Sequence, residues 1–354
     1  MASSVPSTWL TIIGGGLAGL SLCVELMNVY SARGKRLPGR IVIIERREQY
    51  ANEQTFSFFA KQPAVGLPYT EYVSWTFGRH NTPIQVQQQG NAYRYYRLAG
   101  ADVFAELLEQ ITSHPAVELV LGADADAMDL HGDVVVDTRP CATSDIWIQQ
   151  RFVGAEVELG EDINPSQAQL MTNMRLLDNR FTFDYILPLD KRRALVEVTQ
   201  FAVSPATHDE LSQILSDRLS ELGVSEPPLR QESATIPMGL KVRPNDRLAS
   251  QQIRSATGYG YLETKRWARQ TALNIFMDRA PQFSSFSAGL RWFDERMLSV
   301  IERDPDQLPT IFMAMAEKLT GDEFASFMSE PSAVDLFKVM MAVPKRTFMR
   351  TLYG

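Results

Sequence analysis

Cysteine is scarce in this chain. Only Cys23 and Cys141 occur in 354 residues, and they form no C-x-x-C pair. A zinc or disulfide framework is therefore not expected, and a reducing, cytoplasmic setting is. The four histidines, His80, His114, His131 and His208, form no close pair and no H-x-x-x-H, so no metal site is expected. Basic charge is not in excess: 35 Lys and Arg stand against 42 Asp and Glu, a net charge of -7. Nucleic-acid-binding domains are usually basic, so no nucleic-acid partner is expected. No apolar run approaches the ~18 residues of a membrane span. Residues 1–6 lack a basic stretch leading into an apolar one, so no signal peptide is expected. The serine-nucleophile pattern G-x-S-x-G is missing, as are repeats and low-complexity tracts. The rest is an ordinary globular composition, 45% hydrophobic and 22% charged, long enough for one large core or two closely built domains.

The most informative segment present is Ile12-Ile13-Gly14-Gly15-Gly16-Leu17-Ala18-Gly19-Leu20. It reads as an apolar strand, glycines spaced G-x-G-x-x-G, then a helix. Gly14 is expected to turn the chain off the strand, Gly16 to let a pyrophosphate approach the backbone, and Gly19 to let helix and sheet pack closely. The helix start then offers N–H groups and a positive dipole end to phosphates. A second strand, residues 40–44, ends at Glu45, placed to accept hydrogen bonds from ribose hydroxyls. The unit predicts a dinucleotide site.

Further along, helices are expected at 18–30 and 102–111, with short strands at 117–121 and 133–136. From residue 146 the texture becomes β-rich. Strands at 146–157, 181–187 and 193–201 read as an antiparallel substrate-binding sheet. A helix at 208–222 is capped near Thr207 and stopped at Gly223, and Pro227-Pro228 marks a linker. Helices follow at 266–277, 286–303, 308–319, 322–328 and 331–341. The expected division is a dinucleotide-binding part (1–145), a β-rich substrate insert (146–235), a return to the cofactor part (236–280) and a helical C-terminal cap (281–354). The fold class is α/β: a Rossmann-like FAD-binding fold of the glutathione-reductase/hydroxylase type with an inserted antiparallel sheet. Periodicity cannot separate flavin from nicotinamide, but an early glycine motif followed by such an insert favours FAD. Tyr93, Tyr95 and Tyr96 suit either a tunnel wall or plain strand packing, and Arg94 and Arg97 read as a solvated edge or as one arginine reaching a phosphate. Met313, Met315, Met328, Met340 and Met341 suit either core or an adaptable apolar mouth. Residues 343–350 mix basic and apolar side chains and suit either peripheral contact with anionic lipid or a surface tail.

Several segments resemble, in order, the flavin-dependent lycopene cyclases. Phe152-Val153-Gly154-Ala155-Glu156 resembles the family's F-[IVL]-G-x-E strand. Phe183-Asp184-Tyr185-Ile186-Leu187-Pro188-Leu189 resembles F-x-Y-x-[LM]-P-L, and Leu195-Val196-Glu197-Val198-Thr199 resembles [LV]-[IL]-E-[DE]-T. Asn52-Glu53-Gln54-Thr55-Phe56-Ser57-Phe58, Val136-Asp137-Thr138-Arg139, Ile236-Pro237-Met238 and Ala256-Thr257-Gly258-Tyr259 add matches along nearly the whole chain. Departures mark a divergent member. Thr138 and Pro140 replace glycines, Val198 replaces a second acid and Phe56 a tryptophan. Thr172 replaces an aspartate, and Arg254-Ser255 a His-Pro.

The resemblance implies a redox-neutral isomerisation on reduced FAD, with NAD(P)H as expected electron donor. A polyene end is protonated, closes to a six-membered ring and loses a proton. It implies that Glu197 is the catalytic acid; by pattern alone Glu197 reads as an outward-facing residue on an alternating strand. Glu232 stands at a second matching acid position, or is a solvated loop charge. Asp137 reads as a cofactor-edge contact or a turn acid. Thr257, Gly258 and Tyr259 read as backbone donors to the flavin or as an ordinary start of a helix. The expected partner is an apolar polyene or another lipophilic small molecule; oligomeric state is not legible. A competing expectation is an FAD-dependent monooxygenase or oxidative cyclase of specialised metabolism, using NAD(P)H and O2. A third is a non-catalytic cofactor-binding protein.

Overall fold

The structure is a computed structural model that describes residues 7–51, 54–63, 66–241, 252–281 and 286–350. Residues 1–6, and Asn52 and Glu53 of the family-like segment, lie outside the described residues. In chain order, β1 (Thr8–Ile13), α1 (Leu17–Ser31) and β2 (Arg40–Ile44) open the fold. They lead to β3 (Thr55–Ala60), β4 (Thr70–Tyr72), β5 (Ser74–Arg79), β6 (Gln85–Gln89), β7 (Arg94–Ala99), α2 (Gly100–Thr112), β8 (Val117–Val120) and β9 (Val134–Asp137). The β-rich middle holds β10 (Ile146–Glu158), β11 (Gln167–Leu177), β12 (Arg180–Pro188), β13 (Arg193–Ala202), α3 (His208–Glu221) and β14 (Arg230–Leu240). Helices α4 (Tyr261–Phe276), α5 (Ala288–Arg303), α6 (Leu308–Lys318), α7 (Gly321–Ser329), α8 (Ala333–Ala342) and α9 (Lys345–Arg350) complete it.

Three sheets result. A parallel sheet of order β8-β2-β1-β9 carries the glycine motif at the C-terminal end of β1. A seven-stranded sheet runs β14-β10-β13-β12-β11-β5-β6, and a small one runs β3-β7-β4. The large sheet is antiparallel except where β11 meets β5 in parallel. Because β5 and β6 pair onto it, the expected boundary at residue 145 does not separate the sheets. β11 and β14 have no counterpart among the expected strands. β11 (QAQLMTNMRLL) and β14 (RQESATIPMGL) mix polar and apolar residues without a regular alternation. α4 begins at Tyr261, five residues before the expected start, because buried Tyr261 and Thr264 already face the core.

Local chemistry sets the helix ends. Thr207 and Glu210 form a capping box on α3, and Gly223, at φ +71°, ends it in the left-handed conformation. Equivalent boxes start α7 (Thr320, Glu323) and α8 (Ser332, Asp335). One core packs α1, α4 and the parallel sheet; Cys23 lies in it, its thiol pushed up to about 12 by burial. A second packs the large sheet against α5–α8 through Trp75, Phe181, Leu195, Ile311 and Phe324. Each large apolar side chain buried there contributes roughly 1.5–3 kcal/mol. The opposite face of the large sheet is covered by Leu211, Leu215 and Leu219 of α3. Among the described residues no helix is long and apolar enough to cross a membrane.

Candidate active site

A single cavity of about 700 Å³ joins the glycine motif to the large sheet and the C-terminal helices. Gly16, Ala18, Glu45 and Arg47 line one end, Thr257–Tyr259 the middle, and Glu197, Glu232 and many aromatic side chains the rest.

At the first end the backbone does the shaping. Gly14 has φ +97°, open to few residues other than glycine, and its N–H bonds Ile44 O at 2.8 Å. A Cβ on Gly19 would stand 2.0 Å from Gly14 O, so only glycine lets α1 come this close to β1. A Cβ on Gly16 would meet nothing within 4 Å, so the helix start is open to the cavity. No side chain caps that start, which leaves its N–H groups to a ligand. Glu45 accepts from the Gly15 N–H at 2.6 Å and the Arg47 N–H at 2.8 Å. Burial pushes its pKa up, but the Arg47 and Gly15 hydrogen bonds and the Arg47 charge outweigh it and hold the carboxyl below its ordinary range. Asp137 sits opposite Ile13 at the end of β9, its carboxylate clasped by Arg139 at 2.8 Å. The neighbouring Thr138, not Asp137, lines the cavity.

Thr257, Gly258 and Tyr259 all line the cavity, but their N–H groups are committed within the turn. Those of Thr257 and Gly258 donate to Arg254 O at 3.1 and 2.8 Å, and that of Tyr259 to Thr257 Oγ1 at 3.3 Å. The expected backbone donation from these three is thus replaced by a tight turn with Gly258 at φ +73°. Arg254, seen in the sequence only as a departure, anchors that turn. It is buried, pairs with Asp294 of α5 at 3.2 Å, donates to the Phe327 carbonyl of α7 and stacks over the Phe327 ring.

The acid end is built by strand register. Tyr185, Glu197, Gly154 and Glu232 lie abreast on β12, β13, β10 and β14. A Cβ on Gly154 would lie 2.7 Å from Glu197 Cγ and 3.4 Å from Glu232 Cγ, so this glycine is the gap into which both carboxyls lean. Glu197 is 8% exposed and Glu232 6%. The outward-facing alternative for Glu197 and the loop alternative for Glu232 are both replaced by buried strand positions. Burial pushes the Glu197 pKa well up, and the Glu232 charge and a hydrogen bond to Glu232 push it further; Arg230 and Arg97 oppose weakly. Glu232 Oε2 accepts from Arg230 at 2.5 Å and from Thr55 Oγ1 at 2.8 Å. Arg230 also donates to Glu156 at 2.8 Å, and Arg97 donates to Glu156 at 2.6 Å. Arg97 is therefore no solvated edge: β7 lies over the sheet and delivers it inward. The signal for Arg230 was present in the sequence, since Arg230 and Glu232 stand two apart and share a strand face.

Tyr95 lines the cavity, its hydroxyl 3.2 Å from that of Tyr259, whereas Tyr96 packs in the other core. Met315 and Met328 line the cavity, Met313 is core, and Met340 and Met341 are exposed.

The family described as Lycopene cyclase protein matches residues 10–296. No curated protein sequence matches the chain. Among solved structures the chain is similar to a geranylgeranyl bacteriochlorophyll reductase-like protein from Thermoplasma acidophilum. There the TM-score is 0.57 at 12% identity, covering 97% of this chain and 98% of that one. It is also similar to a 2-methyl-3-hydroxypyridine-5-carboxylic acid oxygenase, with TM-score 0.53, 12% identity and coverage of 90% and 95%. A flavin-dependent brominase gives 0.50, 12%, 97% and 98%. At such identities the likeness is one of fold.

Proposed function

We propose, from the premise that the chain belongs to the lycopene cyclase protein family, that it is a flavoenzyme closing a ring at one end of a polyene or related isoprenoid without net redox change. One observation carries this reading. A buried pair of glutamates sits in an aromatic cavity that continues to a dinucleotide motif.

The first end fits FAD. The opening at Gly16 and the uncapped start of α1 suit a pyrophosphate, and Glu45 suits a ribose. Reduced FAD, when bound, would supply negative charge near a forming carbocation, where exclusion of water strengthens electrostatics. NAD(P)H is the proposed reductant. The chain's own residues do the rest. Glu197 holds a proton because burial disfavours its charged form, and delivers it to the terminal double bond. Tyr185, Tyr95 and Phe183 line the cavity, and their rings suit developing positive charge there. The glutamate pair then takes a proton from the carbon beside the cation, so it starts and ends with one proton. Contact with lipid is part of the proposal. Val334, Phe337, Met340 and Met341 are exposed along one face of α8, with exposed Lys345 and Arg346 following on α9. That pattern suits an anionic bilayer surface holding a lipophilic substrate.

A second reading, an FAD-dependent monooxygenase using NAD(P)H and O2, draws support from the fold shared with the pyridine carboxylic acid oxygenase. Lycopene in detergent, incubated without oxygen with chemically reduced FAD and in parallel with oxygen, FAD and NAD(P)H, separates the two. Ring-closed product of unchanged mass supports the cyclase. Product formed only with oxygen, in step with NAD(P)H consumption, supports the monooxygenase.

A further inference from the structure

Five ionisable side chains from four strands meet beside the cavity: Arg97 (β7), Glu156 (β10), Glu197 (β13), and Arg230 and Glu232 (β14). Their partners differ sharply. Glu156 Oε1 accepts from both arginines, at 2.6 Å from Arg97 and 2.8 Å from Arg230. Glu232 Oε2 accepts from Arg230 at 2.5 Å and from Thr55 at 2.8 Å. Arg230 also donates to Thr55 Oγ1 at 3.0 Å, which turns the Thr55 hydroxyl hydrogen toward Glu232. Among the described residues no arginine is in bonding contact with Glu197, and Glu232 Oε1, the oxygen not taken by Arg230 and Thr55, is buried without a hydrogen-bond partner. Among the described residues the Tyr185 phenol on β12 and the Tyr259 phenol on the 252–260 turn also face Glu197, and the Ser57 hydroxyl on β3 bonds Tyr185.

Guanidinium groups stay charged in proteins, so among the described residues the cluster holds two fixed positive charges against three carboxyls. A buried cluster is stable near neutrality, which requires two carboxylates and one proton. Glu156 and Glu232 each receive charged donors; Glu197 does not. We infer that Arg230 is a positioning residue that fixes the single proton of the pair on Glu197, pointed at Glu232 Oε1, and that Arg97 and Glu156 hold Arg230 to that task. This rests on the reading of Glu197 as the acid, but the arrangement belongs to the resting protein and can be tested without turnover.

The test is infrared spectroscopy of the resting protein near neutral pH, reading the carbonyl stretch of buried protonated carboxyls, with the pH profile of ring closure measured in parallel. The wild type is expected to show one such band, absent in Glu197→Gln. Arg230→Gln removes one positive charge, so a second carboxyl takes a proton and the band about doubles in area. Arg230→Lys restores the single band. Glu156→Gln removes one negative charge and has the opposite sign: Glu197 ionises and the band shrinks. In turnover, the alkaline limb of kcat moves to higher pH in Arg230→Gln and to lower pH in Glu156→Gln, with retained near-UV circular dichroism reporting the fold. A band that survives Glu197→Gln overturns the assignment, because the proton is then on Glu232. So does an unchanged band in folded Arg230→Gln, or, should that variant not fold, in Glu156→Gln. If the bands behave as expected and no polyene is cyclised, the proton arrangement stands and the proposed reaction fails.

Discussion

Glu45 and Glu197 expose similarly little of their surface, 7% and 8%, yet their environments drive them in opposite directions. Glu45 lies where β2 meets the glycine turn and receives two backbone N–H groups and the Arg47 guanidinium, which overcome desolvation and keep it charged. Glu197 lies among aromatic side chains with a second carboxyl across Gly154, and desolvation and repulsion act together to keep it protonated. Small exposed area alone therefore does not decide protonation; the depth of the surroundings and the donors within them do. The two ends of one cavity thus offer different chemistry. On the proposed reading, one is an anionic anchor suited to neutral hydroxyls and the other an acid with a proton to give.

The contrast breaks most visibly at Glu197. Glu197→Gln is expected to lower ring closure by roughly 10²–10⁴-fold, the usual contribution of a positioned general acid, with flavin affinity unchanged in a titration followed by flavin fluorescence. Equal loss of turnover and flavin binding would mean that the two ends do not act separately. Next comes Gly19. A methyl group there collides with Gly14 O, so Gly19→Ala is expected to cost about 1–3 kcal/mol of stability and to release flavin, measured by chemical denaturation and the same titration. Gly154→Ala sharpens the comparison from the other side: the added methyl displaces the flexible Glu197 chain, lowering kcat while flavin affinity holds. Glu45→Gln keeps the shape and removes a charge. It is expected to weaken flavin binding about tenfold, consistent with the ~1.5–3 kcal/mol of a charged hydrogen bond, and to leave the pH profile of kcat in place.

How readily each end could be read in the sequence follows the same division. The dinucleotide end is local. Gly14, Gly16 and Gly19 occupy one turn of chain, Glu45 ends the next strand, and backbone sterics dictate what each position tolerates. The acid end is assembled by register. Glu197 and Glu232 were reachable through the family resemblance, but that they face each other across Gly154 depends on β10 pairing with β13 on one side and β14 on the other. Arg97 looked solvated because a strand pattern does not say which sheet lies over it. Whether Thr257–Tyr259 are free donors or a plain helix start was not readable because their i→i+3 and i→i+4 bonds to Arg254 O belong to a turn whose Arg254 side chain reaches Asp294 and Phe327, far along the chain. Long-range pairing, not local propensity, made these parts illegible.

The smallest expected effect is on stability, and it sets the two acids in opposition along the pH axis. The folded-state pKa of Glu197 is raised, so between its ordinary value and the raised one the folded protein binds a proton that the unfolded chain has released. Its contribution is fully present below the unfolded pKa and is lost as pH rises through the folded one. Glu45 has the reverse sign. Its folded pKa is lowered, so its contribution is present above the unfolded value and is lost as pH falls through the folded one. Thermal denaturation of the wild type, Glu197→Gln and Glu45→Gln from acidic to mildly alkaline pH checks both. The Tm of Glu197→Gln relative to wild type is expected to climb with pH, by on the order of 1–3 °C between pH 5 and 8. The Tm deficit of Glu45→Gln should instead shrink as the pH drops toward the carboxylate range. If the Glu197→Gln difference stays flat, Glu197 titrates alike in the folded and unfolded chains, and the carboxyl facing Glu232 is not the proton store that ring closure requires.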